Sequence, residues 1–180
     1  EDENFQRKIA QERIRLIRKF LKSRQASLFE IGCAAGFFLD EAKKSGFQVS
    51  GIEISESEVR YANSLGLSVI SGSFEDLKVA GTFDVVCSFF VLEHFLDQEK
   101  ILRKISSMIN KDGLFIVAIP SLNGPTFKTN PKTWLETHPK DHFFDYEPRS
   151  FAKTMAKLGM KIVYKKPFSY HRSRDKGWKG

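Results

Sequence analysis

The sequence predicts an α/β domain built on an open, mostly parallel sheet, and three observations carry that expectation. Short apolar runs alternate with segments of helical period, as where Ser27 to Ile31 is followed by Phe38, Leu39 and Ala42. Phe83 to Phe90 is apolar almost without interruption, which suits a parallel strand covered on both faces. Glycines fall where helices should stop, at Gly46, Gly66 and Gly159. The size agrees: 180 residues, 41% hydrophobic and 28% charged, can bury one core, and this composition excludes a disordered tail or a disulfide scaffold.

Taken in order, residues 5 to 21 set Phe5, Ile9, Leu16, Ile17, Phe20 and Leu21 near one face of an amphipathic leading helix. Residues 1–24 are read as that helix, packed on or capping a domain formed by residues 25–180. Ser27 to Ile31 is the first strand, Gly32-Cys33-Ala34-Ala35-Gly36 a tight turn, and the helix after it runs to Gly46. Phe47 to Ile54 alternates as a second strand, and Ser55 with Glu58 has the spacing of a capping box for the helix that stops at Gly66. Leu67 to Ile70 and Phe83 to Phe90 are the third and fourth strands. Asp97 reads as the next N-cap, with Leu96 and Ile101 spaced as a hydrophobic staple, and a buried stripe continues through Leu102, Ile105, Met108 and Ile109. Lys111-Asp112-Gly113 should close that helix, and Leu114 to Ile119 is a fifth strand stopped by Pro120. Residues 121 to 147 show no period, as a functional or mobile loop would. Pro148 in a first turn, with Phe151, Met155 and Leu158, opens a last helix, and Lys161 to Tyr164 reads as a sixth strand.

Ligands of an open α/β sheet sit beyond the carboxyl ends of its strands, so the first strand-to-helix turn is the place to look. Gly32 and Gly36 let backbone approach a ligand there. A dinucleotide fingerprint fails, because counting from Gly32 its second and third glycine positions hold Ala34 and Phe37. What remains is Glu30 before the turn and Glu53 at the tip of the second strand. A carboxylate in that second place can accept both hydroxyls of a ribose, so an adenosine without a pyrophosphate fits best.

Glu30-Ile-Gly-Cys-Ala-Ala-Gly36, Gly51-Ile-Glu53-Ile-Ser, Phe83-Asp84-Val-Val, Val91-Leu-Glu93-His94 and Gly113-Leu-Phe-Ile-Val-Ala-Ile-Pro120 resemble, in order and spacing, the class I S-adenosylmethionine-dependent methyltransferases. The resemblance spans roughly residues 28 to 165. It implies a Rossmann-like three-layer sandwich, S-adenosylmethionine as cofactor and S-adenosylhomocysteine as product. The turn that holds Glu30, Gly32, Cys33, Ala34, Gly36 and Phe37 would cradle the methionine moiety. Glu53 and Ile54 would meet the ribose, Ser73, Phe74 and Glu75 the adenine, and Ser88 and Phe89 the methionine side. Ala34 departs from the commoner Gly. Ser73 stands where many relatives carry an Asp, so that contact is weakened or passes to Glu75 or Asp76. The family's final antiparallel strand is not recognisable in Tyr170 to Gly180, as in a truncated terminus, and Glu1 in place of Met fits a trimmed start.

Methyl transfer from a sulfonium needs alignment and, for a hydroxyl or carbon acid, removal of a proton. His94 at the fourth strand's tip suits that task, or else caps the segment that follows. His142-Phe-Phe-Asp-Tyr146 resembles a His-aromatic-Tyr segment of relatives that act on small molecules, which makes His142 and Tyr146 further catalytic candidates; packing on the core is the alternative. His138 is read as structural. Cys33 and Cys87 lack His or Cys partners at ligand spacing, so no metal is expected, and two buried thiols fit a cytoplasmic protein.

The expected function is therefore methyl transfer to oxygen or carbon of a small molecule. An RNA methyltransferase or a noncatalytic cofactor-binding domain is the alternative. Ser88-Phe-Phe-Val-Leu-Glu-His94 lacks the Pro-Pro-Tyr-like motif of enzymes that methylate base amines. The net charge of +7 gives little support to nucleic acid, because it belongs to the chain's ends: residues 1–24 carry +4, residues 161–180 carry +6 and the remainder −3. No apolar run reaches the length of a membrane span.

Overall fold

The structure, a computed structural model, describes residues 3–166 apart from 22, 24 and 79. The described residues form two compact units. One comprises the chain up to Val91 together with Glu99–Ala118; the other comprises Leu92–Gln98 and the residues from Ile119 onward.

The first unit contains helices α1 (Glu3–Arg18), α2 (Phe37–Lys44), α3 (Glu56–Ser64) and nearly all of α4 (Gln98–Ser107). Its strands are β1 (Ser27–Ile31), β2 (Gln48–Glu53), β3 (Val69–Ser71), β4 (Phe83–Phe89) and β5 (Ile109–Ala118). The strands lie in the order β3-β2-β1-β4-β5, and every pairing is parallel. The order reverses beside β1, which puts the turns after β1 and β4 at the switch point. Leu28, Val85 and Cys87 share one core cluster with Ala10, Ile14 and Ile17 of α1 and with Leu39 and Ala42 of α2. Phe29, Ile31 and Val86 alternate to the opposite face and are buried too, so both faces are covered, as the continuous apolar runs require.

The buried face of α1 is Ala10, Ile14 and Ile17, while Phe20 lies beyond the helix and is exposed. Arg7 anchors the helix: its guanidinium bonds Asp40 and Glu41 on α2 and Glu3 on its own turn. At the other end of the sheet, Asp84 ties three strand starts together. Its carboxylate accepts from the Ser27 amide at 2.8 Å, the Ser27 hydroxyl at 3.0 Å and Asn110 Nδ2 at 2.8 Å. The Asn110 and Ser27 bonds hold the Asp84 carboxyl below its ordinary pKa. A lowered carboxylate pKa contributes stability that is present above the unfolded value and lost as pH falls through the folded one. Asp84→Ala should therefore cost about 1–3 kcal/mol at pH 7. In denaturant melts the gap to the parent should narrow as pH drops below about 4; a gap independent of pH would contradict this.

Several local expectations are corrected. Ser55 starts α3 but its side chain makes no cap bond; the Ser55 hydroxyl pairs with that of Ser57, and its amide donates to Glu53 Oε1 instead of Glu58. Leu96 is exposed, so the expected staple buries only Ile101. Helix α4 ends at Ser107, before the Lys111-Asp112-Gly113 stop. Ile109 pairs with Phe83 at the start of β5, and the register shift between Phe83 and Val85 absorbs Asp112 at φ 64. Helix and strand periods overlap at such a junction, which is why Ile109 reads as the end of a stripe.

In the second unit, residues 121–147 hold two short helices, α5 (Pro125–Thr129) and α6 (Pro131–Glu136), where the sequence shows no period. Five and six residues are too few to display one; Asn130 caps α6 by accepting from the Thr133 amide. Helix α7 (Pro148–Lys157) starts as expected, with Glu147 accepting from the Ser150 amide. Lys161 to Tyr164 is not a strand: Ile162, Val163 and Tyr164 are exposed. Alternation supplies propensity, but a strand also needs a ladder, and the sheet of the described residues, β3-β2-β1-β4-β5, does not include this segment. The expected absence of a final antiparallel strand in Tyr170 to Gly180 concerns residues outside those described.

Candidate functional site

The cofactor-side candidates all lie in the first unit, around the carboxyl ends of β1, β2, β3 and β4. The amides of Gly32 and Cys33 both donate to the Ile52 carbonyl, which pins the turn after β1 to β2. Gly32 has φ 68, and a Cβ there would lie 2.4 Å from Val91 Cγ2; Gly36 has φ 78, and a Cβ would lie 2.6 Å from Leu67 Cδ1. Both positions demand glycine. Ala34 between them also adopts a positive φ, of 45, and is exposed.

Glu53 closes the turn from the neighbouring strand. Its Oε2 accepts from the Ala34 amide and its Oε1 from the Ser55 amide, each at 2.9 Å. A carboxylate has about four lone-pair sites, so one on each oxygen stays available for a ligand hydroxyl. Beside it Ile54 is exposed. Glu30 on β1 and Ser88 on β4 are buried, and Glu30 Oε2 and Ser88 Oγ have no protein partner. Burial pushes the Glu30 carboxyl well above its ordinary pKa, against the pull of Arg13. Buried groups without partners at strand tips mark places for a polar ligand.

Ser73 follows β3, and its hydroxyl accepts from the Glu75 amide. Phe74 is buried under Lys104, whose ammonium lies 4.6 Å from the ring centroid and donates to the Phe74 carbonyl. Phe89 packs edge-on to Phe38, with the Arg13 guanidinium 3.8 Å above its ring; Phe37 meets Tyr61 and lies under Arg7. Cys33 and Cys87 are free buried thiols whose pKa values burial raises, so they are inert packing groups.

The acceptor-side candidates lie together in the second unit. A one-turn 3-10 helix at Leu92–His94 presents Glu93 and His94, and the Phe143 amide donates to the Glu93 carbonyl at 2.8 Å. That bond brings His142 beside them, with the His94 and His142 rings edge to face at 4.7 Å. Asp141 faces His94 Nδ1 through its carbonyl at 3.0 Å and its carboxylate at 3.3 Å, so Nδ1 is the nitrogen that donates there and Nε2 is the one left for another partner. His142 Nδ1 is buried without a partner, and burial with neighbouring His94 and His138 lowers its pKa.

His138 bonds Asp145 at 2.7 Å and the Pro139 carbonyl at 3.0 Å, which engages both ring nitrogens. The Tyr146 hydroxyl donates to Gln98 Oε1, and burial raises its pKa, so the phenol keeps its proton. Gln98 in turn donates to the Leu92 and Phe95 carbonyls, tying Tyr146 to the turn that carries His94.

Sequence reasoning missed Glu93. Its side chain is fully buried, neither carboxylate oxygen has a hydrogen-bond partner, and desolvation raises its pKa to about 7. Its position next to His94 was the available signal; its burial was not readable from the sequence.

Three comparisons bear on this arrangement. A family profile described as a methyltransferase domain matches residues 2–165. The ubiquinone biosynthesis O-methyltransferase of Bradyrhizobium diazoefficiens is 26% identical over 106 residues, 56% of this chain and 42% of that protein. Its counterpart in Caulobacter sp. is 31% identical over 99 residues, 51% and 39%. The chain matches less than half the length of these curated relatives. Among solved structures, magnesium protoporphyrin IX methyltransferase from Synechocystis, with S-adenosylhomocysteine bound, superposes with a TM-score of 0.73 at 14% identity, over 89% of this chain and 75% of that one. A possible histamine N-methyltransferase from Thermotoga maritima gives 0.69 at 20%, over 89% and 73%. At these identities the structural likeness shows the fold.

Proposed function

The chain belongs to the methyltransferase domain family, of the class I S-adenosylmethionine-dependent type, and on that premise we propose that it transfers a methyl group to an oxygen or carbon atom of a small-molecule acceptor. The observation that carries the reading is the turn after β1 with Glu53 braced across it. Val91 and Leu67 fill the places a Cβ would take at Gly32 and Gly36, so the two glycines hold the turn tight, and Glu53 keeps one acceptor site on each oxygen for the two hydroxyls of a ribose. Glu30 and Ser88 offer buried, unpartnered oxygens for the polar end of the methionine moiety. The residues present therefore fit S-adenosylmethionine.

That cofactor, when bound, supplies an electrophilic methyl group on a good leaving group. The chain's own tasks are to align the acceptor and to take its proton. His94 is assigned the proton, because Asp141 fixes its Nδ1 hydrogen and leaves the other nitrogen basic. His142 packs edge to face with the His94 ring and so helps set its orientation, and Tyr146 holds the turn through Gln98. The likeness to ubiquinone biosynthesis O-methyltransferases supports a hydroxyl on a small molecule as the first acceptor to try. A cytoplasmic setting belongs to the same proposal; none of the described helices is long and apolar enough to cross a membrane.

A screen of phenolic and sugar hydroxyl acceptors with labelled cofactor tests this. His94→Ala should lower kcat by at least about 100-fold with cofactor affinity unchanged. Full turnover by both His94→Ala and His142→Ala would refute the assignment.

A further inference from the structure

The geometry points to a divalent metal site of the zinc type formed by Glu93, His94 and His142. One ligand atom from each residue lies within 4.8 Å of the other two. Ligands around a tetrahedral zinc ion stand about 3.4 Å apart, so modest side-chain rotation closes the set. Three further observations distinguish this cluster from a chance meeting of polar groups.

Glu93 is fully buried, and both its carboxylate oxygens lack a hydrogen-bond donor. Burying a carboxyl group without a partner is costly, and a bound cation would compensate that cost. His142 Nδ1 is likewise buried and unpartnered. His94 is held from behind by Asp141 at Nδ1, the outer contact that fixes the ring of a metal-ligating histidine and assigns ligation to Nε2. Two imidazoles and one carboxylate are a donor set for zinc and neighbouring transition metals; magnesium and calcium prefer all-oxygen sets. The expectation that the chain holds no metal was drawn from the cysteines alone, and the proposed site departs from it.

Three protein ligands leave a coordination position for an oxygen. On the reading proposed above, that oxygen is the acceptor's hydroxyl: its O–H bond breaks, the oxygen bonds the ion, and the proton leaves to water. With the ion bound, His94 would be its ligand and the proton would go to water; the base role assigned above is that of His94 in the metal-free protein.

Zinc binding to the intact protein, freed of metal with a chelator, tests the inference by calorimetry and by elemental analysis after desalting. The parent should retain one equivalent, and cobalt in its place should give visible absorption from nitrogen and oxygen ligation. Glu93→Gln, which keeps the side chain's size, and His142→Ala, at a partly exposed position, should each weaken zinc at least tenfold and abolish the cobalt spectrum, with melting curves confirming the fold. Magnesium should not compete. No retained zinc in the parent, or one equivalent bound equally by both variants, would overturn the site. The readout needs no methyl transfer, so the two readings fail separately: zinc bound without turnover on any acceptor counts against the function, and metal-free turnover at the full rate counts against the site.

Discussion

Gly32→Ala should destabilise the protein by about 2–5 kcal/mol and abolish measurable S-adenosylmethionine binding. The estimate joins two costs. A residue with a side chain in the left-handed region loses about 1–2 kcal/mol, and Gly32 sits at φ 68. The added methyl would lie 2.4 Å from Val91 Cγ2 and 3.1 Å from Cγ1, and relieving an overlap of that kind costs about 1–3 kcal/mol. The turn cannot move away freely, because the Gly32 and Cys33 amides are both spent on the Ile52 carbonyl. The paired variant Gly32→Ala with Val91→Ala removes the clash and leaves the dihedral cost. It should recover part of the lost stability, and a paired variant no more stable than the single one would show that Val91 is not the obstacle.

Glu53→Ala should weaken S-adenosylmethionine at least about 100-fold by calorimetry. Two charge-assisted hydrogen bonds to the ribose contribute about 1.5–3 kcal/mol each, and every 1.4 kcal/mol is tenfold in affinity. The truncation also takes the acceptor from the Ala34 and Ser55 amides and so loosens the turn. Glu53→Gln limits the structural damage to one of the two contacts: it keeps one oxygen acceptor and sets an amide NH2 against a single backbone N–H, so it should lose affinity with a smaller drop in melting temperature than Glu53→Ala. Adenosine, which lacks the methionine moiety, should lose affinity by a similar factor in both variants, whereas an affinity for adenosine untouched by Glu53→Ala would place the ribose elsewhere.

The proposed cofactor side was legible in the sequence because its determinants are local. A strand of five residues, a glycine turn and a carboxylate at the next strand's tip are each written in one short segment, and the parallel order that unites them follows from alternation of strands and helices. The acceptor side was legible only as a list of candidates. His142 lies 48 residues from His94, and what joins them is one backbone hydrogen bond from Phe143 to Glu93, which no periodicity announces. Glu93 shows the same limit: a carboxylate beside a histidine reads as exposed by default, and its complete burial is a property of the folded chain. Where segments lay between two periods the reading slipped, as at Ile109, which continues a helical stripe and yet opens β5. Ile162 to Tyr164 is the converse case, since strand propensity alone does not make a strand there and the three side chains are exposed.

Binding of S-adenosylmethionine to the purified protein tests the central claim most directly, with calorimetry joined to mass spectrometry of any cofactor carried through purification. The account predicts saturable one-to-one binding, competed by S-adenosylhomocysteine and lost in Glu53→Ala. A protein that gives no binding heat with up to about 1 mM cofactor, and carries neither cofactor nor product from the cell, would contradict it.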